Sequence, residues 1–366
     1  MPTTALSFEH YAALPEAEAH ARILAARTQL GPRAVLLCHH YQRAEVYRHA
    51  DLTGDSLKLA RLAAQTDATF IVFCGVHFMA EVADILSRPA QTAVLPDLAA
   101  GCSMADMANL AKVERCWREL AAVLGAPDEK ITPVTYINSA ADLKAFCGAH
   151  GGIVCTSTNA PKIVDWALAR REKVLFFPDQ HLGRWTGYKK GIPLDEMAVW
   201  DPDLENGGLT PAEIEKARIL LWKGYCSVHQ MFQPEHIHRW RAQYPDGFVI
   251  THPECSLDVC RASDHVGSTE FIRDIITAAP QGTHWLVGTE LNLVERLAQE
   301  LKPQGKTVQF MSPIVCMCST MQRIDLPHLA WTLENLVAGN VVNPIRVPAH
   351  EAEMARVALA RMLEVS

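Results

Sequence analysis

The sequence predicts an α/β protein built on parallel sheets. Short, nearly continuous apolar runs of strand length alternate with amphipathic stretches along most of the chain, the pattern of strands buried on both faces between helices. At 366 residues the chain is longer than one hydrophobic core usually grows, so two or three domains are expected. A weaker repetition points to three. Three times a strand-like run ends in polar residues, a hydroxyl residue then opens a helix, and a cysteine in a Gly- or Ser-containing turn closes the unit.

Taken in order, the strand-like runs are RAVLLCHHY, ATFIVFCGV, TAVLPD, TPVTYIN, GIVCTS, KVLFFPD, GFVITHPE, THWLVGT and TVQFMSP. The helical patterns between them are SLKLARLAAQT, MAEVADIL, MADMANLAKVERCWRELAAVLG, SAADLKAFCGAH, APKIVDWALAR, TPAEIEKARILLW, STEFIRDIITAA and LNLVERLAQELK. In the first unit His39 and Tyr41 precede Ser56, and Cys102 closes. In the second, Tyr136 and Asn138 precede Ser157, and Cys226 closes. In the third, His252 and Glu254 precede Ser268 and Thr269, and Cys318 closes. Such units suit a site at a shared centre. The second is longest, and its excess falls in residues 183–208, whose Gly, Pro and acids read as a surface excursion.

Composition removes several function classes. A net charge of −7 leaves no basic field for a nucleic-acid backbone. The longest uncharged apolar stretch, Ala68 to Ala80, is too short for a bilayer, which takes about 20 residues. Acids and histidines fill the N-terminal stretch where a signal peptide carries its apolar core. The expectation is a cytoplasmic protein with neither a nucleic-acid nor a membrane partner.

Eleven cysteines, an odd number, then stand in a compartment that disfavours disulfides. Cys38, Cys74 and Cys155 lie in strand-like runs and Cys116 and Cys147 in helical patterns, where a thiol is a small buried apolar group. Cys255 and Cys260 flank a turn and are also read as packing. Cys102, Cys226, Cys316 and Cys318 sit in turn-like surroundings, where a sulfur can face a cavity. No compact C-x-x-C metal motif joins them. Three isolated cysteines from three units would fit an iron–sulfur cluster with one iron left free of protein ligands. Two other readings stay open on the residues alone: a zinc lyase or hydrolase using histidines such as His39, His40, His236 and His238, and a binding module with inert thiols. The first lacks a third ligand at a familiar spacing and any H-E-x-x-H; the second leaves the loop cysteines unexplained.

Twelve segments, CHHYQ, GDSLKLA, FCGVHFMAE, AGCSMAD, TYIN, CTSTNA, FFPDQHLGR, GYCSVHQMF, THPEC, SDHVGST, VGTE and CSTM, run in order from about residue 35 to 325. Together they resemble the quinolinate synthase family. The resemblance implies three analogous three-layer α/β domains around a pseudo-threefold axis, with the active site at the centre. Their bounds would be 1–115, 116–228 with the 183–208 excursion inserted, and 229–344, the first also holding the N-terminal helix and open to the C-terminal helix 345–366. It implies one 4Fe–4S cluster on Cys102, Cys226 and Cys318, its open iron acting as a Lewis acid. It implies condensation of iminoaspartate with dihydroxyacetone phosphate to quinolinate, phosphate and water, in the biosynthesis of NAD, with an aspartate oxidase or dehydrogenase as the source of iminoaspartate.

For single residues, Glu254, Tyr41, His39 and His252 are the implied catalytic groups, Glu254 as general acid/base. His39, Ser56, Tyr136, Asn138, Ser157, His229, His252, Glu254, Ser268 and Thr269 are the implied substrate contacts. The hydroxyls at helix starts also have a plain reading as N-caps. His40, Gln42 and His181 adjoin these motifs as supports. Cys316, beside the third ligand, is an additional thiol with no assigned role.

Overall fold

Strand-forming runs in this chain pair side by side, and every ladder between the named strands of the computed structural model is parallel. The structure describes residues 5–315 and 317–365. Among them, β1 (Ala34–His39), β2 (Leu52–Gly54), β3 (Phe70–Cys74) and β4 (Thr92–Val94) make a sheet of order β2-β1-β3-β4. β5 (Ile131–Tyr136), β6 (Ile153–Cys155), β7 (Lys173–Phe177), β8 (Met197–Trp200) and β9 (Ile219–Trp222) make a second, β6-β5-β7-β9-β8. β10 (Phe248–Thr251), β11 (His265–Val266), β12 (His284–Gly288) and β13 (Thr307–Phe310) make a third, β11-β10-β12-β13. Helices flank all three, so the α/β class with parallel sheets is as expected. No helix among the described residues is long and apolar enough to cross a membrane.

The chain forms two compact units. One runs up to Cys102 and adds Glu290–Arg296 and Met317–Val347, and it contains the first sheet. Its N-terminal helix Glu16–Leu30 buries Ala19, Ile23, Ala26 and Leu30, and packs against Leu326–Val337. There Arg22 grips Glu334 with Nε at 2.8 Å and Nη2 at 2.5 Å. The other unit runs Ser103–Thr289 and adds the segments beginning at Leu297 and Pro348. It contains the five-stranded sheet and the third sheet. At β5 and β7 every residue is buried, as a sheet covered on both faces requires.

Three local expectations are corrected. TPAEIEKARILLW is not one helix: helix Pro211–Lys216 stops, and Ile219–Trp222 is β9, between β7 and β8. Ala217 turns to an extended ψ of 128°, and the four apolar residues that follow are buried. A short apolar run of this kind has no periodicity that separates strand from helix. Residues 183–208 are no surface excursion. They hold most of helix Gln180–Lys189 and then β8, whose Trp200 is fully buried. The glycines that read as loop signals are packing contacts: a Cβ at Gly183 would lie 2.5 Å from Leu221, and one at Gly187 2.4 Å from Met197 Sδ. The C-terminal helix, Ala349–Val365, does not join the first sheet. It packs on helix Ala141–Ala149 and on β6, burying Ala355, Ala358, Leu359 and Met362, with Arg361 Nη1 donating to the Gly152 carbonyl at 2.6 Å.

Candidate active site

Ligand-binding groups of parallel α/β sheets gather at the carboxyl ends of strands, and most of the expected residues lie there. In the larger unit, β5 ends on Tyr136, β9 leads to Cys226 and the short helix Ser227–Gln230, and β10 leads to His252 and Glu254. Four side chains from these three strand ends meet. Tyr136 Oη donates to Glu254 Oε1 at 2.7 Å, and His229 Nδ1 lies 2.9 Å from Oε2. His252 Nδ1 is 3.8 Å from Oε1, and its ring lies 4.9 Å from that of His229. On its other side, His229 Nε2 meets the Thr289 hydroxyl at 3.4 Å.

Glu254, His229 and His252 are no more than 3% exposed. Burial opposes the charge on Glu254. The imidazoles of His252 and His229, with hydrogen bonds from His229 and Tyr136, outweigh it and hold the carboxyl below its usual range. Burial pushes His252 down to about 3 despite the attraction of Glu254. Glu254 is thus held toward its charged form and His252 toward its neutral one.

The same unit has a cleft of about 230 Å³ lined by Ser157, Ser268, Gly267, Trp185 and Phe271 among others. Ser268 is the N-cap of helix Thr269–Ala278, accepting from Phe271 N at 3.4 Å. Ser157 precedes helix Ala160–Leu168, whose cap is Asn159. Asn138 Oδ1 and Thr269 Oγ1 are buried without a hydrogen-bond partner among the described residues.

Sequence reasoning missed Asp179. It is fully buried, its Oδ1 accepts from His181 N (2.7 Å) and Leu182 N (2.8 Å), and burial together with the charge of Glu254 pushes its carboxyl up. Next to it, Gln180 N donates to the Gly224 carbonyl at 3.0 Å, where a Cβ on Gly224 would lie 2.2 Å from Pro178 O. Only glycine admits that approach, so the Cys226 loop is stitched to the start of helix Gln180–Lys189. The acid directly after the KVLFFP run was the available signal.

In the smaller unit β1 ends on His39, whose Nδ1 accepts from Tyr41 N at 3.1 Å and so curls the loop back. Ser56 opens helix Ser56–Gln65, but the cap is Asp55, which accepts from Lys58 N. The capping reading of Ser56 is thereby corrected. Cys318 N donates to Glu290 Oε1 at 3.2 Å, and Cys318 Sγ is 3.3 Å from Thr320 Oγ1. Glu290 also accepts from Asn292 N at 2.7 Å and Asn292 Nδ2 at 3.1 Å. Asn292 Nδ2 donates to Tyr41 O at 3.0 Å, and Asn292 Oδ1 accepts from Gln322 Nε2 at 3.3 Å. One turn on, Arg296 donates to Gln42 O at 3.1 Å and His40 O at 2.7 Å. One helix start therefore holds both the His39–Gln42 loop and the Cys318 turn. Nothing in the sequence singles out Asn292 or Arg296 for this, because their partners are backbone groups far along the chain.

Of the ten described cysteines seven are buried; Cys102, Cys226 and Cys318 are the three that are not. Cys316 lies outside the described residues. One group of three metal-capable side chains converges among the described residues, Cys226, His229 and Glu254. The histidine set His39, His40, His236 and His238 forms none; His236 Nδ1 accepts from Gln233 N at 3.2 Å.

The model of the family described as Quinolinate synthetase A protein matches residues 21–364. A quinolinate synthase of Acidobacterium capsulatum is 54% identical over 362 residues, covering 99% of this chain and 96% of that protein. That of Herpetosiphon aurantiacus is 55% identical over 98% of this chain and 95% of its own. The Corynebacterium glutamicum protein is 53% identical over 98% and 90%. By the family match and by identity along almost its full length, the chain belongs to the quinolinate synthetase A family, an enzyme family acting on small molecules.

Proposed function

We propose that the chain condenses iminoaspartate with dihydroxyacetone phosphate to give quinolinate, phosphate and two waters, as a step of NAD biosynthesis. An oxidase or dehydrogenase acting on aspartate supplies the imine, and the reaction takes place in the reducing cytoplasm. The same reading divides the chain into units 1–115, 116–228 and 229–344, each supplying one thiol to a 4Fe–4S cluster. The observation that carries it is the sorting of the thiols: among the described cysteines, only Cys102, Cys226 and Cys318 escape burial. Thiolates are the donors such clusters take, so the donor set fits. When bound, a cluster with one iron free of protein ligands supplies Lewis acidity for loss of hydroxide.

The remaining work falls to the chain's own groups. Isomerising and dehydrating a triose requires a proton moved between adjacent atoms. Glu254 is ionised and fixed at both oxygens by Tyr136 and His229, so it takes a proton in one orientation; His252, neutral, stands ready to polarise a hydroxyl. Ser157 and Ser268 face the cleft, and with Thr269 and Asn138 they hold substrate carboxylates or phosphate. In the smaller unit Tyr41, with His39 and Ser56, binds and orients the hydroxyl that departs.

The test is anaerobic purification with metal and sulfide analysis. Brown protein with about four irons and four sulfides per chain is expected, and alanine at Cys102, Cys226 or Cys318 abolishes it while alanine at Cys316 does not. Metal-free protein that builds no cluster on anaerobic reconstitution with iron and sulfide, or a full cluster in any of the three variants, would refute the reading.

A further inference from the structure

The convergence of Cys226, His229 and Glu254 has a chemistry of its own. The three offer one sulfur, one nitrogen and one oxygen, and these atoms all lie within 4.8 Å of one another. Zinc binds such donors at about 2.3 Å to sulfur and about 2.0–2.2 Å to nitrogen or oxygen, so a tetrahedral site wants them roughly 3.4–3.6 Å apart. Nδ1 and Oε2 are already at 2.9 Å. Side-chain rotation of about 1 Å therefore brings the set to bonding geometry. Outer partners are also in place: Tyr136 Oη on Glu254 Oε1 at 2.7 Å, and Thr289 Oγ1 beside His229 Nε2 at 3.4 Å. Metal-binding histidines and carboxylates are normally held in this way. His229 and Glu254 are buried, whereas Cys226 is half-buried and leaves a way in.

We propose that these three residues form a second metal site, for one divalent cation of the zinc class, in the chain that lacks a cluster. Binding releases one proton to solvent, from the Cys226 thiol. With Nδ1 on the metal, the neutral His229 ring carries its proton on Nε2, where Thr289 Oγ1 accepts it. A dication then faces one thiolate and one carboxylate, so the buried site is neutral. A fourth position stays open for water. With Cys226 Sγ, Glu254 and His229 turned onto the cation, the sulfur is drawn away from a cluster iron, so the cation and the cluster compete for it. That competition rests on the assignment of Cys226 to the cluster; the cation site does not.

Cobalt(II) is the probe, added to the full chain purified without its cluster. One equivalent is expected to bind, with a thiolate-to-cobalt charge-transfer band and the intense visible bands of tetrahedral cobalt, and zinc is expected to displace it. C226A should lose the charge-transfer band. H229A and E254Q should bind about 100-fold more weakly, and Y136F, which keeps all three ligands, about tenfold more weakly. C102A and C318A should bind cobalt as the unaltered chain does, although the cluster reading says neither can build a cluster. Far-UV circular dichroism of each variant checks its fold, and Y136F carries the test if C226A does not fold. A band that survives in C226A, that vanishes in C102A or C318A, or that Y136F leaves at full affinity overturns the site. Zinc-loaded chain that assembles a full cluster while retaining its zinc overturns the competition.

Discussion

The surroundings of Glu254 and of Cys318 are built in opposite ways. Around Glu254, side chains from three strand ends bond to one another in a buried group. Around Cys318 and Tyr41, side chains of one helix start reach the backbone of two loops, in which Tyr41 and Cys318 themselves stay half-buried. The first arrangement fixes the reacting groups directly; the second fixes the chain that carries them. Mutations in the first should change chemistry with little change in shape, and mutations in the second should move loops and only then affect chemistry.

The largest effect is expected from E254Q, which keeps the shape and removes the charge: kcat should fall about 10²–10⁴-fold, the usual worth of a general acid/base, with the melting temperature nearly unchanged. A large loss of stability in E254Q would break the contrast. Next comes N292A, which frees the Tyr41 carbonyl and Gln322 together. Iron should leave the holoenzyme faster under a chelator, and stability should drop by about 0.5–1.5 kcal/mol, the net worth of a typical hydrogen bond. Unchanged iron retention would show that the loops hold themselves. R296K retains charge but not the fork that spans the His40 and Gln42 carbonyls; about 1–2 kcal/mol of stability should go, read by denaturant titration, with KM rising more than kcat falls. Smallest is Y136F, which takes one of the two hydrogen bonds from Glu254 and should lower kcat by roughly tenfold if that bond contributes about 1.4 kcal/mol to the transition state.

Legibility followed the range of the interactions. Continuous apolar runs showed β1, β3, β4, β5, β6, β7, β10, β12 and β13, because burial on both faces selects such residues locally. β9 was hidden, since four apolar residues after a helix continue its pattern equally well. β8 was hidden for a different reason: Gly183 and Gly187 look like loop punctuation until Leu221 and Met197 are seen against them. Among site residues, the three cysteines stood out by their turn context, and all three remain outside the core. Ser56 drew attention as a helix opener, yet Asp55 does the capping. Asp179 went unnoticed because its partners are backbone N–H groups, which carry no residue code.

By itself the sequence determined the class of the fold, the strand ends that bear polar groups, and which thiols stay out of the core, because burial is written in the local alternation of residues. Only the tertiary structure decided that Tyr136, His229 and Glu254 share protons, and that Asn292 ties itself to Tyr41 from 251 positions away. Those contacts depend on where separate strand ends and loops arrive in space, and the local pattern does not specify the angles at which they meet.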